Sequence, residues 1–205
     1  MPQTYWHERI PNITTVHKFL SESDVHLRGW NFPHLDRDKS SNFADGRQSY
    51  TGFMHHIEAN RAYQSGLFIW RGAYWENNSH FRRESEYALS FVNVIYTVTE
   101  FYVFLKRYYE RISLDAAIKF SIELTHLKDR VLTESDPSSW SLLGSYVAKV
   151  PSLRIEQEYI VSELRASAEE LAIKTVQKIF EVFNWNNPDA NMISGWQQKL
   201  LSRTF

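Results

Sequence analysis

The sequence predicts an α+β domain: a mixed or antiparallel sheet, a long amphipathic helix over about 85–112, and a second helix over about 167–184 packed on it. Three observations carry this. Apolar residues recur at spacings of three and four through 85–112 and 167–184. They alternate with polar residues through 116–132 and 152–161. Strands come in runs and do not alternate regularly with helices, which separates the chain from a doubly wound sheet. The 205 residues are enough for one core, and the chain reads as a single domain over 1–205.

The elements follow in order. Residues 13–22 form a short helix capped by Asn12 or Thr14, with Val16, Phe19 and Leu20 on one face. Residues 25–35 read as a strand that ends before Pro33. The polar stretch 36–49 reads as an exposed loop with a turn at Asp45-Gly46. Strands are expected near 50–59 and 66–75, with turns at 59–61 and 64–66. In the long helix, Phe91, Ile95, Val98, Tyr102, Leu105 and Tyr109 make a stripe that Val94, Phe101, Tyr108 and Ile112 widen. Strands over 116–132 and 152–161 enclose a turn at 136–139. Ser167 and Glu170 have capping-box spacing at the start of the second helix, and a tail helix covers 190–201.

Composition excludes several chemistries. Cysteine is absent, which removes disulfides, thiolate metal sites and cysteine nucleophiles. The chain carries no P-loop, GxGxxG, GxSxG or HExxH motif. No run of about 20 apolar residues is present, and the N-terminus lacks a signal-peptide layout, so the expectation is a bacterial or archaeal cytoplasmic protein with no membrane association. Lys plus Arg is 23 against 24 for Asp plus Glu, which argues against binding driven by overall charge.

The near-neutral total conceals a distinct segment. Residues 26–83 hold seven Arg and one Lys against three Asp and two Glu, with 5 of the 8 His and 11 of the 31 aromatics. Guanidinium planes and aromatic faces suit stacked bases and phosphates, which singles out Arg28, Trp30, Arg47, Arg61, Trp70 and Arg71, with Trp75 a further stacking candidate. Against this, strands are aromatic in any case and Arg stems cover apolar surface. His34 beside Pro33 is a candidate ligand-binding residue or general acid–base, and His26 a weaker one. No metal site is favoured; if one exists, His34, Asp36, His56 and Glu58 are its ligands. Adjacent His55 and His56 point to opposite faces of a strand, so they cannot share an ion, whereas His56 and Glu58 share a face. The tyrosine-rich stripe of the helix at 85–112 is either core or a surface for a protein partner or self-association.

Four strings carry a family resemblance: Leu27 to His34 (LRGWNFPH), Tyr63 to Phe68 (YQSGLF), Tyr96 to Glu100 (YTVTE) and Phe183-Asn184-Trp185. Over most of residues 24–203 the chain resembles an uncharacterised bacterial domain that follows AlbA-type, Schlafen-like DNA-binding modules. The resemblance implies an accessory, sensing or interaction role in a bacterial regulatory or defence-type setting, and it transfers no catalytic residues. The matched region begins almost at residue 24, so the expectation is a stand-alone copy without the DNA-binding module, which would need a separate partner to deliver any DNA-directed output.

The sequence therefore points first to a non-enzymatic interaction or sensing module that uses residues 26–75, without a cofactor. A single-strand DNA- or RNA-binding protein is the alternative. A metal-dependent hydrolase or nuclease is the second alternative.

Overall fold

The computed structural model describes residues 10–36, 38–53, 56–74, 76, 88–112, 117–133 and 145–204. They form α1 (Ile13–Ser23), β1 (Val25–His26), β2 (Asn31–Phe32), β3 (Ser40–Phe43), β4 (Gly46–Phe53), β5 (His56–Tyr63), β6 (Phe68–Gly72) and β7 (Ala88–Ser90). The chain continues with α2 (Phe91–Ile112), β8 (Ala117–Thr125), β9 (Val131–Thr133), β10 (Ser152–Ile160), α3 (Val161–Val182) and α4 (Ala190–Ser202). This is the α+β class expected from the sequence, with four helices and mainly antiparallel strand pairing.

Helix α2 is the spine, and it explains its own composition. Val94, Ile95, Val98, Tyr102 and Leu105 pack into one cluster with Leu171, Val176, Ile179 and Phe180 of α3, Ile193 of α4, and Ile118 and Ile155 of the β8–β10 ribbon. Val103, Phe104 and Tyr108 pack into a second cluster with Val16 and Leu20 of α1, Phe32, and Ala62 of β5. A helix clasped on two sides needs an apolar face wider than a single stripe. This corrects the expectation of a partner or self-association surface along 85–112: Tyr96, Tyr102 and Tyr108 are buried inside the chain. Tyr102 Oη bonds Gln157 Oε1 at 2.8 Å and Thr175 Oγ1 at 2.7 Å, tying β10 and α3 to the spine.

Local chemistry sets the element ends. Asn12 caps α1, its Oδ1 accepting the Thr15 N–H at 2.8 Å. Ser90 Oγ accepts the Asn93 N–H at 3.2 Å, so α2 starts at Phe91, and residues 88–90 form a strand parallel to β9. Asp189 Oδ1 accepts the Asn191 N–H at 2.9 Å to open α4.

Five expectations change. The strand over 25–35 is a small hairpin, Val25 facing Phe32 and His26 facing Asn31. The loop over 36–49 contains β3 and the start of β4, which pair through Ser40–Ser49 and Asn42–Arg47. An edge strand that is polar on both faces shows no alternation to read. The turn at 59–61 is the middle of β5, while the turn at 64–66 forms, with Gly66 at φ +88°. The strand over 116–132 breaks into β8 and β9, with His126 and Asp129 at positive φ. Helix α3 begins at Val161, and the Ser167 capping signal falls at an internal kink where Ser167 takes φ −137°. The expected turn at 136–139 lies outside the described residues.

Candidate functional site

Strands β3–β6 form a four-stranded antiparallel sheet in sequential order. Side chains alternate between its faces, so the register assigns each one. Ser49 faces Asn60 and Thr51 faces Glu58, and all four are buried beneath the sheet. On the other face, Tyr50 lies beside Ala59 and Arg71, and Gln48 beside Arg61 and Ile69. The covered face mixes these polar side chains with apolar Ala62, Phe68 and Trp70, while the other face carries apolar side chains into water. Tyr50, Ile57 and Ile69 are 51%, 49% and 46% exposed, and Leu67 at the adjoining turn is 52% exposed. Exposed apolar residues gathered on one face mark a contact surface more often than isolated ones do.

The face is shaped by its glycines. A Cβ at Gly46 would meet Ala62 O at 2.3 Å and the Phe43 ring at 2.6 Å, so glycine alone lets Phe43 lie across the strand. Phe43 then meets Tyr63 edge-on, with ring centroids 5.1 Å apart. A Cβ at Gly52 would meet Tyr50 Oη at 3.1 Å, so the Tyr50 ring leans along β4 over the glycine. Arg61 and Arg71 are exposed on the same face, and no carboxylate stands on this face among the described residues. Stacking faces and cationic planes are thus presented together.

The structure divides the residues singled out from the sequence. Arg61 and Arg71 share the open face. Trp70 is on the opposite, covered face, its ring 5.4 Å from Phe32. Arg47 is also on that side, donating from Nη1 to Asn42 Oδ1 at 2.9 Å. Arg28 is structural. Its Nε donates to Glu100 Oε2 at 3.0 Å, its Nη2 bonds the same oxygen and Thr97 Oγ1, and its guanidinium sits 5.2 Å from the centroid of the Trp30 ring. Glu100 on α2 is fully buried, so the pair clamps the 24–30 segment to the spine.

Beside this clamp lies a second polar knot. Glu76 Oε1 accepts the Ser90 N–H and the Asn93 side-chain N–H, both at 2.9 Å, and Arg130 Nη2 donates to Ala88 O at 3.3 Å. Burial, reinforced by the Glu76 charge, pushes the Tyr74 hydroxyl well above its ordinary pKa. Burial lowers that of Arg130. The knot joins β7, the start of α2 and β9.

Among the described residues, those proposed for metal or acid–base chemistry are engaged in holding the chain. Glu58 accepts the His34 backbone N–H, and Asn60 Nδ2 donates to His34 O at 2.9 Å. These two side chains hold the 33–36 segment under the sheet. Asp36 is engaged locally, accepting the Asp38 N–H at 3.1 Å and lying 3.9 Å from Lys39 Nζ. His26 bonds Asn31 at 2.7 Å across the hairpin. His55, Trp75 and the side chain of His56 lie outside the described residues. Among the described residues no three His, Asp or Glu side chains converge to hold an ion. No described helix is long and apolar enough to cross a membrane.

Sequence reasoning missed Phe43, Tyr50, Ile57, Tyr63 and Ile69. The available signal was the odd–even contrast in β5, where Glu58 and Asn60 alternate with Ile57, Ala59 and Arg61. Choosing which set faces water required the covering elements. Comparison of the chain with protein-family models, with curated proteins and with solved structures returns no match.

Proposed function

We propose that this chain is a non-enzymatic binding module of a bacterial regulatory or defence-type system, and that the open face of the β3–β6 sheet is its ligand surface. One observation carries the reading: Tyr50, Ile57 and Ile69, each about half exposed, share a single face with Arg61 and Arg71 while Ser49, Thr51, Glu58 and Asn60 of the same strands are buried. Leaving so much apolar side chain in water has a cost that a bound partner would offset, at about 25 cal/mol per Å² covered. The resemblance of residues 24–203 to a domain that accompanies DNA-binding modules supplies the setting. A photo-crosslinking residue at position 50 or 69, introduced in the native cell, tests this. Discrete adducts at both positions, and none from a control at Glu123 on the outer face of β8, are expected. Adducts from the control alone would remove the sheet face as the site.

A specific observation favours single-stranded nucleic acid as a second reading. The charged side chains assigned to this face among the described residues are arginines, and the face also carries the rings of Phe43, Tyr50 and Tyr63. Base–aromatic stacking of about 1–3 kcal/mol per base and two phosphate contacts would give a modest, salt-sensitive affinity. For two phosphates on a single strand, the slope of log K against log salt is about −1.4. Arg61→Glu with Arg71→Glu should abolish binding of a labelled oligonucleotide. No binding at low salt removes this reading and leaves a protein ligand.

A further inference from the structure

The β8–β10 ribbon is two strands wide, yet two helices, α2 and α3, lie beneath it. All nine residues of β10 pair with β8, from Ser152–Thr125 to Ile160–Ala117, and β10 has no other strand partner among the described residues. Its far edge therefore presents unpaired backbone N–H and C=O groups, a template for another strand. Along that edge runs an open groove of about 490 Å³, lined by residues 153–156 of β10 and by Lys178, Glu181 and Val182 of α3. No β8 residue lines it, which places it on the side of β10 away from β8.

We infer that this edge is a self-association site, where β10 of a second copy pairs antiparallel with β10 and completes a sheet in the order β8–β10–β10–β8. The charges of the strand select this occupant and its register. In a two-fold antiparallel pair centred on one residue, the residue before it faces the residue after it on the other copy. Centred on Ile155, Arg154 faces Glu156 of the second copy, and Glu156 faces its Arg154, so two opposite-charge pairs form. Centring on Arg154 or on Glu156 sets a like charge against itself. Centring on Gln157 sets Glu156 against Glu158.

Within one chain Arg154 Nη2 already lies 2.7 Å from Glu156 Oε1, with the side chains 62% and 67% exposed. Association exchanges the exposed contact within each copy, two in all, for two between copies, now at a strand–strand seam. On the covered side the same register brings Ile155 against Ile155 and Leu153 against Gln157. The wall of the groove repeats the pattern: Lys178 and Glu181 are exposed about one helical turn apart on α3, so each can meet the opposite charge on the second α3. Half-buried Leu153 and Val182 supply apolar surface at the floor.

The test is sedimentation equilibrium of the full chain from about 1 µM to about 1 mM, the range of a modest dimer. The expected result is a concentration-dependent monomer–dimer equilibrium. Arg154→Glu and Glu156→Arg each turn both pairs into repulsions, and each should raise the dimer dissociation constant at least about tenfold. The double exchange R154E/E156R restores the wild-type value. An equimolar mixture of the two single variants forms a heterodimer tighter than either variant's own homodimer. Thermal midpoints show that the variants fold: Glu156→Arg, which faces Ser121 across the ribbon, should stay close to wild type, and Arg154→Glu, which faces Glu123, should fall slightly. Amide hydrogen exchange along 152–160 should slow as the concentration rises. A chain that stays monomeric throughout, a dimer indifferent to both single substitutions, or a mixture that fails to pair would each overturn the inference.

Discussion

Replacing Arg28 tests whether it is a clamp or a ligand contact. Arg28→Met keeps much of the side-chain volume and removes the guanidinium. It leaves the Glu100 carboxylate, which is 0% exposed, without the charge that both Nε and Nη2 supply. Breaking a buried ion pair from one side costs about 3–5 kcal/mol, because the remaining charge stays desolvated. Losing the guanidinium over the Trp30 ring adds about 0.5–1 kcal/mol. Against a total of about 5–15 kcal/mol for an ordinary domain, this is a large fraction. The reverse change, Glu100→Gln, should cost less. Arg28 is 13% exposed and can turn part of its charge toward water, while the amide oxygen still accepts one bond. The pair R28M/E100L replaces both charges by apolar groups and should recover most of the loss. Urea unfolding followed by circular dichroism measures all three, with a slope close to wild type showing that the unfolding reaction is unchanged. A loss below about 1 kcal/mol for Arg28→Met, or a double variant no better than the single, would refute the clamp.

Other predictions follow from the same packing. Ser49 Oγ and Thr51 Oγ1 are buried with no hydrogen-bond partner among the described residues, so Ser49→Ala and Thr51→Val should be neutral or raise stability by about 1 kcal/mol, read as thermal midpoint. Phe104, fully buried and 4.6 Å from the Phe68 ring, should lose about 3–5 kcal/mol as Phe104→Ala; Tyr50→Ala on the open face should stay within about 0.5 kcal/mol. Burial raises the hydroxyls of Tyr74, Tyr102 and Tyr108 above their ordinary pKa of 10.0. These three keep their protons in the folded state after the unfolded chain would lose them. Their contribution is complete below pH 10 and disappears as pH rises toward the folded values. Alkaline absorbance titration should therefore show a late tyrosine step that coincides with unfolding. A single step near the ordinary value would show these rings to be solvated.

Periodicity was a good guide where one face of an element meets one neighbour. The ribbon strands alternate cleanly, Ile118 and Ile155 inward and Lys119 and Glu156 outward, and both were legible. Helix α2 was legible as a helix but not as a two-sided spine, because a wide apolar stripe looks the same whether it faces one neighbour or several. The candidate site was the least legible part. Arg28 and Arg71 are the same residue type in the same basic segment. One is neutralised by Glu100, 72 positions away in the chain, and the other stands in water. Trp70 and Arg71 are adjacent, yet the pleat sends one to the core and the other to the surface.

The sequence by itself determined the class of the fold, the start of α1 beside Asn12, the absence of thiol chemistry, and the alternation within the ribbon strands. These depend on neighbours a few residues apart, whose interactions local geometry dictates. Tertiary structure alone decided which face of β3–β6 meets water and which arginines remain uncompensated. It also decided that the edge of β10 is left open beside α3. Those outcomes depend on contacts between segments far apart in the chain. Alternation tells that two faces differ, and only the elements packed against one of them determine which is buried.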